Sequence, residues 1–422
     1  MAEDLRDKVN RYLINSTEFL KVKDQMTEDQ LRAFVNRSID DMINEQDLEI
    51  SMEERGALIK SMVSAVLSLG PLRPLMEDET ITEIMVNGYD TIYIQRFGKI
   101  EKTDVKFESN AALAHTTQKI LATSESNKRC DESNPYVDFS LRDGSRVNAI
   151  LPPCSLMGPV LTIRKFKEDI GSTQQLLEIK ELNDAMHELL VAGMKSKCNV
   201  IFCGATGAGK TTCMNCFSTH IPEEERIITI EDTPELNLMQ DHVVRLQSKP
   251  PNIEGKGEIT MADLFTNSLR MRPDRIIIGE IRGKEMLDLI QSISSGHSGS
   301  LAIVHAESPE DCFSRMVTMM LMTGIRLSNA ELQKQVARAV DMIVHVELYN
   351  DGVRRIANIT DVVWDEEKQK TYLHDIWYWK QTGDMVDGVL QGDWVKNRRI
   401  PSFMQKFIKH RVEFPKDYFD KE

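Results

Sequence analysis

The sequence predicts an α/β protein: a mostly parallel sheet covered by helices, preceded by an α+β domain and a helical amino-terminal extension. Three observations predict it. From about residue 175, short apolar runs (Asn199–Cys203, Arg226–Ile230, Arg275–Ile278 and Leu301–Val304) alternate with helical stretches, the pattern of strands buried on both faces. A glycine-rich segment, Gly204 to Thr211, joins the first run to a helix predicted over 210–219. Ahead of this, short strand patterns cluster around turns instead of alternating with helices. The chain of 422 residues, 41% hydrophobic and 28% charged, is long enough for two or three domains and a large core.

The elements follow in order. Residues 1–70 place apolar side chains at helical spacing, as in Leu31, Phe34 and Val35, and form the predicted helical extension. The α+β domain is expected over 71–172. It has strand patterns at Glu83–Gly88 and Thr91–Gln95, broken by Gly98, and a helix from Asn110 to Ala122. Strands over Val137–Ile150 and Val160–Phe166 surround the Asp143-Gly144 turn. The parallel-sheet domain is expected over 173–380 and ends in a hairpin, Met342–Leu348 and Val353–Ile359, turning at Asn350-Asp351-Gly352. Residues 381–422 read as a carboxy-terminal extension. Within it Lys396, Arg398, Arg399, Lys406, Lys409 and Arg411 are interleaved with Phe403, Met404, Phe407 and Ile408. This pattern fits a solvated surface helix, or a basic amphipathic helix for a membrane surface or partner.

Charge and cysteine usage bound the function. A formal net charge of −14 repels phosphate backbones, so no direct nucleic-acid partner is expected. The start, MAEDLRDKVN, lacks the basic and apolar regions of a signal peptide, and no run of about 18 apolar residues occurs. The expectation is a cytoplasmic protein, held peripherally at the inner face of the cell membrane through partners. Seven cysteines show no paired framework. Cys213 and Cys216 form a C-x-x-C inside the helix after the glycine-rich segment, where packing is the expected role.

That segment, Gly204-Ala205-Thr206-Gly207-Ala208-Gly209-Lys210-Thr211, fits G-x-x-x-x-G-K-[ST], with Thr212 next on the helix. Its glycines let backbone N–H groups face phosphate oxygens, Lys210 places a charge at the β- and γ-phosphates, and the Thr211 hydroxyl is a ligand for Mg²⁺. ATP and Mg²⁺ are the expected cofactors. Acids at the carboxyl ends of strands complete such a site. Glu231 and Asp232 follow one apolar run, and Glu280 follows Ile276–Gly279. Glu280 is the candidate general base and Glu231 the candidate contact to Mg²⁺ or water; Asp232 reads either as a nucleotide contact or as a cap. Gly279 stands where many phosphate-loop enzymes carry an acidic Mg²⁺ ligand, which places more demand on the Glu231-Asp232 pair.

Four boxes then appear in one order: the phosphate loop, Ile228-Thr-Ile-Glu231-Asp232, Leu269 through Glu280-Ile-Arg282-Gly283, and Gly296-His297 through His305-Ala306. In these the chain resembles the type II/type IV secretion superfamily of ATPases. Pro251–Thr260, Asp143–Ala149 and Leu161–Phe166 are most similar to the tight-adherence (Flp) pilus assembly ATPases. The resemblance implies a RecA-like ATPase domain, a homo-hexameric ring with ATP at an interdomain cleft, and an inner-membrane platform protein as partner. It further implies that His297 and His305 face the nucleotide or hold the catalytic glutamate, and that Arg146 and Arg164 supply charge from the α+β domain. Two structural histidines are the alternative, and a metal is disfavoured because no third ligand stands at suitable spacing. Arg270, Arg272 and Arg282 read nearly equally as catalytic arginines and as structural ion-pair or interface residues. The chain departs from the family at Ile303, Ser294-Ser295 and Phe139-Ser140; Arg142 is a possible substitute for an arginine at the last. The paired cysteines of the zinc module found in many relatives are missing. The expected function is a motor coupling Mg-ATP hydrolysis to pilus assembly or secretion. The alternatives are a conjugation-type ATPase moving DNA–protein cargo and a nucleotide-gated switch with little turnover. A DNA recombinase or helicase is disfavoured by the acidic charge.

Overall fold

The computed structural model describes residues 32–40, 55, 56, 59, 69–96, 99–124, 128–141, 143–165, 171–251, 256–386 and 388–420. Most of the expected helical extension lies outside these residues, although 32–40 are helical. Arg142, Phe166, Asn252, Glu254 and Gly255 also lie outside. The chain forms two compact units, residues 1–167 and 168–422.

The smaller unit is built on a six-stranded antiparallel sheet: β1 (Ile81–Asn87), β2 (Ile92–Arg96), β3 (Lys99–Lys102), β4 (Tyr136–Ser140), β5 (Arg146–Ile150) and β6 (Val160–Arg164). Its strand order is β3-β2-β1-β6-β5-β4. Apolar residues alternate on the buried face, with Ile84 and Val86 of β1 beside Leu161 and Ile163 of β6, both pairs in one core with Leu113 and Ile120 of helix Asn110–Thr123. Ser109 caps that helix by accepting from Ala112 N–H at 3.2 Å. The β4–β5 turn is the one read from the sequence: Asp143 accepts from Ser145 N–H at 2.9 Å, and Gly144 takes φ 84°. Strand β3 is exposed along its length and has no apolar alternation, so nothing in its sequence marks it.

The larger unit carries nine strands in the order β15-β14-β13-β12-β7-β11-β10-β8-β9. From β12 to β9 every neighbouring pair is parallel: β7 (Val200–Gly204), β8 (Ile227–Glu231), β9 (Val243–Gln247), β10 (Arg275–Ile278), β11 (Leu301–His305) and β12 (Met342–Leu348). Strands β7, β8 and β10 are buried throughout. Alternate residues of β7 enter opposite core layers, Val200 and Phe202 in one and Ile201 and Cys203 in the other. This is the helix-covered parallel sheet that the apolar runs predict. Beyond β12, the strands β13 (Arg354–Asp365), β14 (Lys370–Val386) and β15 (Val389–Lys396) continue antiparallel.

Residues 381–422 belong to this unit. They supply the end of β14 and all of β15, then a segment that packs back on the core. Phe403 and Phe407 are buried there, and Trp377 donates its indole N–H to Tyr418 Oη at 2.9 Å. Ser402 donates to Asp361 through both its N–H and its hydroxyl, and Lys406 pairs with Asp341. Helix Met404–Lys409 therefore turns Phe407 toward the protein's own core and leaves Ile408 exposed. Among the described residues no helix is long and apolar enough to cross a membrane.

Candidate functional site

In an open parallel sheet the carboxyl ends of the strands form the ligand-binding edge. The chain reaches that edge four times with chemistry: at Gly204 ending β7, at Glu231 ending β8, at Gly279-Glu280 after β10, and at His305 ending β11. Register fixes their neighbourhood. His305 pairs with Gly204 across β11 and β7, and Ile278 pairs with Ile230 across β10 and β8. Gly279 N–H donates to Ile230 O at 3.0 Å and Ile281 N–H to Ile303 O at 2.9 Å, which presents Glu280 between β8 and β11.

The phosphate loop leaves β7 at Gly204 and enters helix Lys210–Ser218 at Gly209, whose φ of 98° is left-handed. Ala205 and Thr206 are exposed at the crest, Ala208 is buried, and Thr211 and Thr212 open the helix. Lys210 is 6% exposed; its ammonium donates to Ala205 O at 2.7 Å and lies 3.4 Å from His305 Nδ1. An ammonium has no lone pair, so Nδ1 is the acceptor and the imidazole proton sits on Nε2. Nε2 lies 3.1 Å from Glu280 Oε1. The result is a hydrogen-bonded chain, Lys210 to His305 to Glu280. Arg282 closes its far end with a two-pronged bond to Glu280 at 2.7 and 2.8 Å. Burial by itself would raise the Glu280 pKa, but the bonds from His305 and Arg282 outweigh it and hold the carboxyl at about 2.

The acids after β8 divide their work differently from the sequence expectation. Glu231 is 2% exposed, and its Oε1 accepts from Glu235 N–H at 2.6 Å and Leu236 N–H at 2.7 Å. Arg245 approaches Oε2 at 3.8 Å. Burial raises the Glu231 pKa, with those backbone bonds pulling against it. The carboxylate thus braces the turn after β8, an arrangement unlike an open ligand for Mg²⁺. The oxygen beside Thr211 belongs to Glu235, whose Oε2 accepts from the Thr211 hydroxyl at 3.0 Å. A hydroxyl and a carboxylate are oxygen donors suited to Mg²⁺. Glu235 escaped sequence reading; Thr233-Pro234, which turns the chain after Glu231-Asp232, is the signal that could have found it. Gly279 also has a cause: a Cβ there would lie 2.9 Å from Glu231 Cγ and 3.2 Å from its Oε1. The buried acid of β8 occupies the space an acid at 279 would need.

Of the other two expected contacts, Asp232 stands at this edge and His297 does not. The Asp232 carboxylate accepts from the Ser248 hydroxyl. His297 lies four residues before β11, whose five residues span about 16 Å, so it stands at the opposite end of the strand from His305. Its Nδ1 is buried and has no hydrogen-bond partner among the described residues. Arg146 and Arg164 are cross-strand partners on β5 and β6 of the smaller unit, and Arg164 Nε lies 3.9 Å from Glu83. Arg270 and Arg272 are exposed. The arginine of the second box that is buried is Arg275, paired with Glu225 and donating to Met194 O at 2.7 Å.

Fold and site together define a RecA-like phosphate-loop protein. The profile of the family described as Type II/IV secretion system protein matches residues 66–370, and the chain belongs to that family. It is 30% identical over 361 residues to the type IV secretion system protein VirB11 of Brucella suis biovar 1, covering 78% of this chain and 97% of that one. Protein VirB11 of Agrobacterium fabrum is 30% identical over 319 residues, with 67% of this chain and 91% of that protein covered. Among solved structures, the pilus retraction motor PilT with bound ADP superposes at a TM-score of 0.51 and 19% identity, over 69% of this chain and 81% of PilT. The likeness to PilT extends to the fold.

Proposed function

We propose that this chain is the ATP-hydrolysing motor subunit of a pilus-assembly or secretion machine. The observation that carries the reading is the hydrogen-bonded chain from Lys210 through His305 to Glu280 at the mouth of the phosphate loop. It connects the residue that would touch the γ-phosphate to the residue that would touch the attacking water.

The roles follow from position. The N–H groups of Gly204 to Thr212 hold the phosphates, and Lys210 exchanges Ala205 O for a phosphate oxygen. Thr211 and Glu235 would hold Mg²⁺, which would neutralise charge on the phosphates. Glu231 fixes the turn that presents Glu235. With a pKa near 2, Glu280 is a carboxylate at neutral pH; it orients water for in-line attack more than it captures a proton. One of its oxygens must leave Arg282 to do so. Arg146 and Arg164 add positive charge when the ring closes. The subunit works as a homo-hexamer in the cytoplasm, at the inner face of the membrane, and passes movement to an inner-membrane platform protein. The tight-adherence pilus is the assigned machine, on the strength of the Pro251–Thr260 and Asp143–Ala149 segments. The 30% identity to VirB11 favours a second reading, a type IV secretion ATPase moving DNA–protein cargo.

Phosphate release from Mg-ATP by the purified chain, compared with Lys210→Ala, tests the proposal, with particle mass recorded with and without nucleotide. Turnover abolished by the substitution, together with a nucleotide-promoted six-subunit particle, is the expected result. Equal release from both proteins would overturn it.

A further inference from the structure

The adjacent strands β12 and β13 touch the phosphate loop at both ends. At the start, a Cβ on Gly204 would lie 2.1 Å from the carbonyl oxygen of Val346 on β12. At the other end, Arg354, the first residue of β13, donates from Nε to the carbonyl oxygen of Gly207 at 3.1 Å. Its side chain crosses Gly209 closely enough that a Cβ there would sit 2.9 Å from Arg354 Cδ. Gly209 is therefore constrained twice, by its left-handed φ and by the arginine stem.

Arg354 projects from a fixed base. Its neighbour Arg355 is 4% exposed, holds Asp351 at 2.6 and 3.1 Å, and lies over the rings of Trp379 at 4.7 Å and Tyr349 at 5.1 Å. Ile356 N–H donates to Glu181 O at 2.8 Å. The backbone on the far side of residue 354 is thus tied down, while the Arg354 side chain is exposed and reaches the loop.

We propose that Arg354 is a positioning residue for nucleotide binding: it grips the Gly207 carbonyl and thereby aims the Ala208 N–H into the phosphate cradle. The inference rests on reading the loop as an ATP site. A trans peptide plane points its C=O and N–H in opposite directions. Gly207 O and Ala208 N–H share one such plane, so holding the oxygen outward holds the N–H inward. Ala208 N–H donates to Ala205 O at 3.3 Å, the same carbonyl oxygen that accepts from the Lys210 ammonium. A cation on the Gly207 oxygen also polarises the plane and strengthens its N–H as a donor. Gly207, at φ 79°, gives the plane freedom to rotate when that grip is lost.

The test uses the full chain and a fluorescent ATP analogue, with binding and steady-state hydrolysis measured side by side on Arg354→Ala, Arg354→Met and Arg354→Lys. Methionine keeps the stem over Gly209 and removes the donor and charge. The cradle grips phosphates alike in ground and transition states, so the loss falls on binding. A charge-assisted bond of ordinary strength sets the scale: Kd and KM rise about 10-fold in the alanine and methionine variants, with kcat within about threefold. Lysine recovers most of the affinity. A methionine variant that binds like wild type overturns the proposal, as does an alanine variant that loses kcat with KM unchanged. A wild-type chain that binds no nucleotide overturns the ATP-site reading, and this proposal with it. A wild-type chain that binds normally beside unaffected variants overturns the role of Arg354 alone.

Discussion

Removing the imidazole of His305 cuts the hydrogen-bonded chain at its middle. The Nε2–H bond to Glu280 at 3.1 Å is lost, and so is the acceptor that faces Lys210 at 3.4 Å. Lys210 keeps its bond to Ala205 O, so the loop retains a partner for its ammonium. Glu280 keeps its two-pronged bond to Arg282. A hydrogen bond to a charged group contributes about 1.5–3 kcal/mol, and the same energy missing from the transition state is about a 10- to 150-fold loss in kcat. KM for ATP should move by no more than about threefold, because the phosphates are held elsewhere. A second consequence is independent of rate. His305 is the larger of the two influences that offset burial at Glu280, so in His305→Ala burial gains ground and the carboxyl titrates higher than about 2. The acid limb of kcat/KM then shifts upward in pH. The assay is steady-state hydrolysis of Mg-ATP by wild type, His305→Ala and His305→Gln from pH 3.5 to 9. An unchanged kcat, or a loss carried entirely by KM, would refute the reasoning.

Three other outcomes follow from the geometry. Glu235→Gln should raise the Mg²⁺ concentration for half-maximal activity about 10-fold while leaving the rate at saturating Mg²⁺ largely intact, and Asp232→Asn should not; the reverse pattern restores the metal to the first acid pair. Glu181 is 3% exposed, and burial, partly offset by Arg354, pushes its carboxyl up to about 7 from an unfolded value of 4.5. The folded state keeps this proton where the unfolded chain has released it, so stability falls as pH rises from 4.5 through 7, by about 3 kcal/mol in all. Glu181→Gln should therefore gain stability over wild type at pH 8 but not at pH 4, measured as urea midpoints; an equal difference at both would contradict the assignment. Phe407→Ala should cost the larger unit about 3–5 kcal/mol by emptying a fully buried site, whereas exposed Ile408→Ala should be near neutral in thermal unfolding.

Much of the parallel sheet was legible because chemistry and burial both leave local marks. Strands covered on two faces must be apolar throughout, as β7, β8 and β10 are, and the phosphate loop needs glycine where Gly204 and Gly209 stand. The strands β14 and β15 left weaker marks. The second half of β14 is exposed, with Lys380, Gln381 and Asp384 along it, so apolar periodicity fades before the strand ends. In the site, Lys210, His305 and Glu280 come together because each ends or follows a strand whose register is set by its apolar run. The acids after β8 do not follow from strand register. Glu231 and Glu235 exchange roles because the chain turns back after Pro234, and a carboxylate inside such a turn is used by its own backbone. His297 stands ahead of its strand, at the end away from the ligand edge, so strand order alone places it apart from His305.

In the proposed mechanism Glu280 orients the water that cleaves ATP at this loop. Comparing Mg-ATP turnover and ATP binding in wild type and Glu280→Gln tests it most directly, since glutamine keeps the shape and a hydrogen-bonding oxygen but loses the carboxylate charge. Binding preserved within about threefold, with turnover reduced at least about 100-fold, is the predicted result. Turnover by Glu280→Gln at the wild-type rate would contradict the account.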